Sequence, residues 1–288
     1  MKTLSCEMCG STNLIKDGGV FVCQSCGTKY SLEEAKKMMA DGPVEVQGTV
    51  KIDSSKELDN LYSLARRAKD SDNHENAAKY YDMILLKDPD SWEANFYTVF
   101  FKAMVCKIGD ISSEAQNVEN CLKPVMELIM KTVTDITEQK KVITEVALRT
   151  LSISRMLFNG GLNHYKKFST VAGQANESAN DLFFSGRISY GLGDVLEEMF
   201  GDEYKDLCVR SWTQGIEMFN DSRDAYIQAS GNILTPQTNN AQLYQQKIQK
   251  INPQSSAPEV KAGGCVVLLV IGLSPLLALA GYFISTIV

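Results

Sequence analysis

Two Cys-x-x-Cys-Gly units lie near the start of this chain, Cys6 to Gly10 and Cys23 to Gly27. A thiolate is a soft anionic ligand, and a two-residue gap lets one tight turn aim two of them at a single ion. Glycine directly after each pair accepts the positive φ that ends such a turn. Thirteen residues, Gly10 to Val22, separate the pairs, a span suited to a hairpin that lays the second pair opposite the first. Four sulfurs brought to tetrahedral distance form a closed site. Cys6, Cys9, Cys23 and Cys26 are therefore the candidate metal ligands, with one Zn²⁺ as the expected ion. Iron in the same four thiolates would make an electron carrier instead. A redox pair calls for one Cys-x-x-Cys within a βαβ unit, and no such unit is visible. Two unrelated packed pairs would leave a 30-residue module of few apolar residues with nothing to hold it together.

The elements that must position these cysteines are short. Leu14-Ile15 reads as one strand, Lys16 to Gly19 as the turn, and Val20 to Val22 as the returning strand. With these elements in place, residues 4–30 resemble the zinc ribbon found in transcription factors, ribosomal proteins and many bacterial proteins of unassigned role. The resemblance implies the fold and the four cysteines as metal ligands. It implies no single task, because ribbons serve as nucleic-acid clamps, protein docks and structural caps. Lys16 and Lys29 are the residues that could touch phosphate. There is no aromatic run to stack bases, and Phe21 and Tyr30 are needed for the small core.

Ser31 and Glu34 form a capping box that opens a helix with Leu32, Ala35, Met38 and Met39 on one stripe; Asp41-Gly42-Pro43 stops it. Residues 44–52 alternate apolar and polar, like an extended linker. From Glu57 the period becomes helical. Leu58, Leu61, Ala65 and Ala68 share one face, Asp70 to Asn73 form a turn, and Ala77, Ala78, Tyr81, Ile84 and Leu85 form a second face that Lys87-Asp88-Pro89 ends. This stretch resembles one tetratricopeptide repeat. Leu64, Ala65, Ala68, Ala77, Tyr81 and Pro89 match its positions, while Leu61 stands for its usual Trp and Ile84 for its late Ala. A third helix carries Trp92, Phe96, Phe100 and Ala103. At the same period Asn95, Lys102 and Ile111 stand where Leu, Tyr and Ala are expected, so a second repeat is degenerate. Further helices are expected near 114–135, 138–158, 175–200, 203–220 and 238–251, with Val142, Ile143, Val146, Leu151 and Leu157 in the core, a break or start at Pro124, and a stop at Asn159-Gly160-Gly161.

A polar linker, 253–264, leads into Cys265–Val288, which has no charged residue. Twenty-four residues at about 1.5 Å each span roughly 36 Å as a helix, enough to cross the hydrocarbon. Lys247, Lys250 and Lys261 flank its amino side, which together with the need for reduced thiols places the rest of the chain in the cytosol. The expected organisation is mainly α. A ribbon (1–30) is followed by a helix and linker (31–56), a tetratricopeptide-like all-α domain (57–252), the juxtamembrane linker (253–264) and a single transmembrane tail anchor (265–288).

Charge and chemistry narrow the function further. The net charge is -6, yet residues 1–42 carry five Lys against five acids, so no basic stripe marks a phosphate-binding face. Of eight cysteines, Cys106, Cys121, Cys208 and Cys265 are scattered, and the amino terminus shows no secretory h-region. The two histidines, His74 and His164, stand in an expected turn and after an expected stop, with no motif partner. Gly191-Leu-Gly193 lacks the third glycine of a dinucleotide loop and follows no strand. No catalytic residue is assigned and no enzyme activity is expected. The reading that fits is a membrane-tethered cytosolic adaptor that docks protein partners. The alternatives are a membrane-bound nucleic-acid regulator clamping through the ribbon, and an iron-type electron carrier.

Overall fold

The structure is a computed structural model and describes residues 6–17, 20–31, 34–35, 54–253 and 257–261. The expected extended stretch at 44–52, most of the helix after Ser31 and the apolar segment 265–288 lie outside them. The chain divides into two compact units between Ser54 and Ser55.

The first unit carries a three-stranded antiparallel sheet in the order β1 (Leu14–Asp17), β2 (Val20–Cys23), β3 (Lys29–Tyr30). Leu14 pairs with Cys23 and Asp17 with Val20. The hairpin is thus tighter than expected: Lys16 and Asp17 belong to the strand, not the turn. The third strand was too short to show an alternation in the sequence. It forms because Phe21 pairs with Tyr30 and Val22 with Lys29. The capping box at Ser31 is present. The Ser31 N–H donates to Glu34 Oε2 at 2.8 Å and the Glu34 N–H donates to Ser31 Oγ at 3.2 Å.

The second unit is mainly helical in its described residues. Its helices are α1 (Ser54–Asp70), α2 (His74–Leu85), α3 (Trp92–Met104), α4 (Ile111–Thr132), α5 (Ile136–Phe168), α6 (Gln174–Phe200), α7 (Lys205–Gln228) and α8 (Leu234–Ile251). The helix α2 packs on α3, α3 on α4 and α5, α5 on α6 and α7, α6 on α7, and α7 on α8. Side-chain caps fix several starts: Asn73 accepts from the Asn76 N–H, Ser91 from Ala94 and Asp135 from Glu138. One hydrophobic core includes Tyr81, Phe96, Tyr97, Leu122, Phe158 and Trp212. The stripe residues Leu61, Ala65, Ala77, Val142, Ile143, Val146, Leu151 and Leu157 are all buried in it.

Two expected interruptions do not occur. Pro124 lies inside a continuous α4. It and Asn120 are exposed, so water can take up the Asn120 carbonyl freed by the missing N–H, and the ring needs no room in the core. Gly160-Gly161 does not stop α5, which runs on to Phe168. A Cβ on Gly161 would stand 3.1 Å from the Asp181 Cβ, and one on Gly160 3.3 Å from Ile111 Cδ1. These glycines bring helices together. The same holds for α6 and α7, which exchange aromatic rings for glycines. A Cβ on Gly193 would overlap the Trp212 indole, and one on Gly215 would overlap the Tyr190 ring. Gly193 is therefore a packing residue, not part of a nucleotide loop. Helices α7 and α8 also extend beyond their expected ranges, α7 to Gln228 and α8 from Leu234.

Candidate metal centre

The four cysteines of the ribbon come together. One Sγ from each of Cys6, Cys9, Cys23 and Cys26 lies within 4.8 Å of all the others. None is in a disulfide. The Cys6–Cys26 and Cys9–Cys23 sulfurs are 3.5 and 3.6 Å apart. Four thiolates arranged tetrahedrally about 2.3 Å from one ion would be about 3.8 Å apart along each edge. The observed spacing is close to that figure and far from the roughly 2.05 Å of a disulfide bond. The four sulfurs could hold a metal ion.

The backbone repeats itself to build the site. The Gly10 N–H donates to the Cys6 carbonyl at 2.7 Å and the Gly27 N–H to the Cys23 carbonyl at 2.8 Å. The Cys6 N–H donates to the Ser11 carbonyl at 2.8 Å and the Cys23 N–H to the Thr28 carbonyl at 2.9 Å. Gly10 and Gly27 take φ of 71° and 76°, where a side chain would be strained. Each knuckle thus repeats the other seventeen residues later. In each, the first cysteine is buried and the second exposed.

Side chains around the sulfurs complete the arrangement. The Tyr30 hydroxyl lies 3.1 Å from Cys6 Sγ, and the Thr28 hydroxyl 3.1 Å from Cys26 Sγ. The Tyr30 hydrogen bond, helped by the Cys9 and Met8 N–H groups, brings the Cys6 thiol down to about 6. The same bond, together with burial, pushes Tyr30 up to about 12. The Thr28 hydroxyl and N–H lower Cys26. At Cys9 the Ser11 N–H pulls downward, but Cys26, desolvation, Cys23 and Cys6 together outweigh it and push the thiol up to about 12. Four thiolates at this separation repel one another, and a divalent cation is what allows all four to ionise together. These outer hydrogen bonds were missed in the sequence because Tyr30 is 24 residues from Cys6 and only the β2–β3 pairing brings it near.

The lysines considered for phosphate contact do not form one patch. Lys16 is paired with Phe21 and hence shares a face with Tyr30, whereas Lys29 is paired with Val22, next to Ile15. Cross-strand partners share a face and successive residues alternate, so the two lysines sit on opposite faces of the sheet.

In the helical unit, His74 opens α2 and stacks on Phe101 at 5.5 Å. His164 lies inside α5, its Nδ1 3.5 Å from Ser178 Oγ, and lines a cavity of about 330 Å³ with Ser112 and Asp181. Burial raises the thiols of Cys106 to about 11, Cys121 to about 12 and Cys208 to about 11. Thiols held protonated in this way are packing residues. Among the described residues, no other group of three or more His, Cys, Asp or Glu donors is gathered for a metal.

Two carboxylates that organise the helices were not visible in the sequence. Glu93 is buried and accepts from Arg66 Nη2 at 2.6 Å and from the Tyr81 hydroxyl at 2.8 Å, so that α1, α2 and α3 meet on it. Asp181 of α6 accepts from the Oγ of Ser112, in the first turn of α4, at 2.6 Å. It supplies an anion to the start of a helix whose own N-cap, Asp110, makes no side-chain cap bond. Neither residue belongs to a local motif; each works across helices. Comparison with known proteins finds no protein family that matches this chain and no similar sequence among curated proteins.

Proposed function

We propose that this protein is a membrane-tethered cytosolic adaptor in which a zinc ribbon and a tetratricopeptide-like helical body dock a protein partner, with the apolar segment 265–288 as the tether. The gathering of four reduced sulfurs within 4.8 Å, in a unit whose other buried apolar residues among those described are Tyr30 and Ala35, carries the reading. Zinc suits a closed, tetrahedral all-sulfur site, and its role there is to hold the fold. The tetratricopeptide likeness draws support from α1 and α2, whose small residues Ala65, Ala68, Ala77 and Ala78 are buried beside Tyr81. One such pair buries its faces only against neighbours, and α3 to α8 supply them. No described helix is long and apolar enough to cross a membrane, so the tether reading rests on the uncharged sequence of 265–288. Tethering concentrates a bound partner at the membrane. No chemical step is assigned to the chain, and the separation of Lys16 from Lys29 disfavours a nucleic-acid clamp.

Crosslinking and affinity capture of the full-length chain from its native membranes tests this reading, with metal content measured on the same material. The expected result is one zinc per chain and a defined protein partner that survives high salt and is lost in the C6S/C9S double variant. Recovery of nucleic acid in place of protein, with affinity falling steeply in salt, would replace it with the regulator reading. Coloured, iron-loaded protein would replace it with the electron carrier.

A further inference from the structure

Residues 253–264 read in the sequence as a flexible linker, but their described part is docked. Ala257 to Lys261 run back over the last two helices. The side-chain amide of Asn220, on α7, holds this segment from both of its ends: Nδ2 donates to the Glu259 carbonyl at 2.8 Å, and Oδ1 accepts from the Lys261 N–H at 3.0 Å. Gln245, on α8, donates through Nε2 to the Pro258 carbonyl at 3.0 Å. Val260 is only 8% exposed and belongs to the main hydrophobic core, with Ala257 packed against it. A segment three of whose backbone groups are taken up by two side-chain amides, and whose Val260 is buried in the core, is part of the body.

The length of free chain then changes sharply. Counted from the end of α8, thirteen residues, Asn252 to Gly264, precede Cys265; fully extended, they would reach roughly 45 Å. Counted from the Lys261 nitrogen held by Asn220, only four residues, Lys261 to Gly264, remain, a reach of roughly 14 Å at most. We propose that Ala257–Lys261 is a docked strap that holds the Asn220 edge of α7 against the lipid headgroups, so that the helical body is presented to the cytosol in one orientation and is not free on a long leash. This rests on the reading of 265–288 as a membrane tether. The partner surface it defines is a lipid surface, and the edge that meets it is the one that carries Asn220 and, one turn further along α7, the exposed Asp224.

The test uses the full-length chain reconstituted into vesicles of phosphatidylcholine and phosphatidylglycerol that contain a headgroup spin-labelled lipid. A dye is attached through an azido amino acid at position 224. The spin label is expected to quench the dye strongly. Inserting ten Gly/Ser residues between Gly263 and Gly264, which lengthens the tether but leaves the strap docked, is expected to abolish most of that quenching. The N220A/Q245A double variant is expected to do the same by releasing the strap. Circular dichroism and thermal unfolding of each variant verify that the body stays folded. If the chain does not enter vesicles at all, the tether reading fails. If it enters and the dye at 224 is not quenched, or is quenched equally with the long insertion, the strap inference is overturned while the tether stands. Relief by the insertion but not by N220A/Q245A also overturns it, because the named contacts would then not be what holds the edge down.

Discussion

In the ribbon, the hydrophobic cluster consists of Cys6, Cys23 and Tyr30, with Leu14 and Phe21 packed against them. In the helical body, the core runs from Leu61 to Val260 and includes Trp212, Tyr81, Tyr97, Phe96 and Phe158, each at most 1% exposed. A fully buried large apolar side chain contributes about 1.5–3 kcal/mol. The body has dozens of them to set against the entropy of ordering its chain. The ribbon has a handful among its described residues, and two of those are candidate metal ligands. On the proposed reading the same sequence reaches a folded state by two routes: in one unit coordination would stand in for a core, and in the other close helix packing supplies it. Their responses to chemical perturbation should separate cleanly.

The largest separation is expected on removing metal. Structural zinc in small domains carries an apparent binding free energy of about 10–16 kcal/mol, which is folding free energy. Treating the full-length protein with a strong chelator should erase amide protection over Cys6–Tyr30 and leave the melting of the helical body unchanged. Acid should act in the same direction. The thiols must lose protons to bind, and Cys9 holds its proton up to about 12. Metal affinity should therefore fall as pH falls, by about tenfold per unit for each proton displaced, while helical ellipticity stays constant. Persistence of ribbon protection after metal removal would break the comparison at its root.

A smaller effect, in the opposite unit, is expected from Gly215→Ala or Gly193→Ala. The added methyl would overlap the Tyr190 or Trp212 ring. Overpacking of this kind costs about 1–3 kcal/mol. Thermal unfolding should show the loss in the body, with zinc content of the ribbon unaltered. An unchanged melting temperature would mean that α6 and α7 can slide apart at no cost, and the close-packing account would have to be withdrawn.

The smallest effect is a pH dependence at Asp181. Burial raises its carboxyl above the ordinary value, against the pull of the Ser112 hydroxyl and N–H. A raised carboxyl binds its proton more tightly in the folded state than in the unfolded one. Its contribution to stability is neutral at low pH, where both states are protonated, and becomes unfavourable as pH rises through the folded-state value. Asp181→Asn keeps an acceptor for Ser112 and removes the charge. The stability of the variant relative to the parent should therefore increase as pH is raised from the acid range toward neutral, in paired melts across pH. A difference that shrinks instead would show that the start of α4 stabilises the charge by more than burial penalises it.

How much of this could be read beforehand depends on how local each device is. The Cys-x-x-Cys-Gly units, the Ser31–Glu34 capping box and the helical stripe of Val142, Ile143 and Val146 are written within a few residues of one another, and a local pattern was enough to find them. Gly160-Gly161 reads as a stop because glycine has the same letter whether it ends a helix or lets another come close. The deciding neighbours, Asp181 and Ile111, are distant in sequence. Glu93, Asp181 and Tyr30 carry no motif, since the partners of each arrive from other elements. The Ala257–Lys261 strap reads in the sequence as a free linker because its polar, proline-bearing composition is that of a loop. Only Asn220 and Gln245, 39 and 13 residues from their partners in the strap, show what holds it.

The seventeen-residue repeat within the ribbon has a consequence for how an ion would come and go. Each knuckle offers one shielded sulfur and one open sulfur, and the open pair is Cys9 and Cys26. A competing thiol, a chelator or an oxidant arriving from solvent can displace these two first, while Cys6 and Cys23 still grip from beneath. Exchange would thus proceed stepwise through a half-held ion, and the rate at which the ribbon surrenders its metal would be set by the two outer bonds and not by the strength of all four.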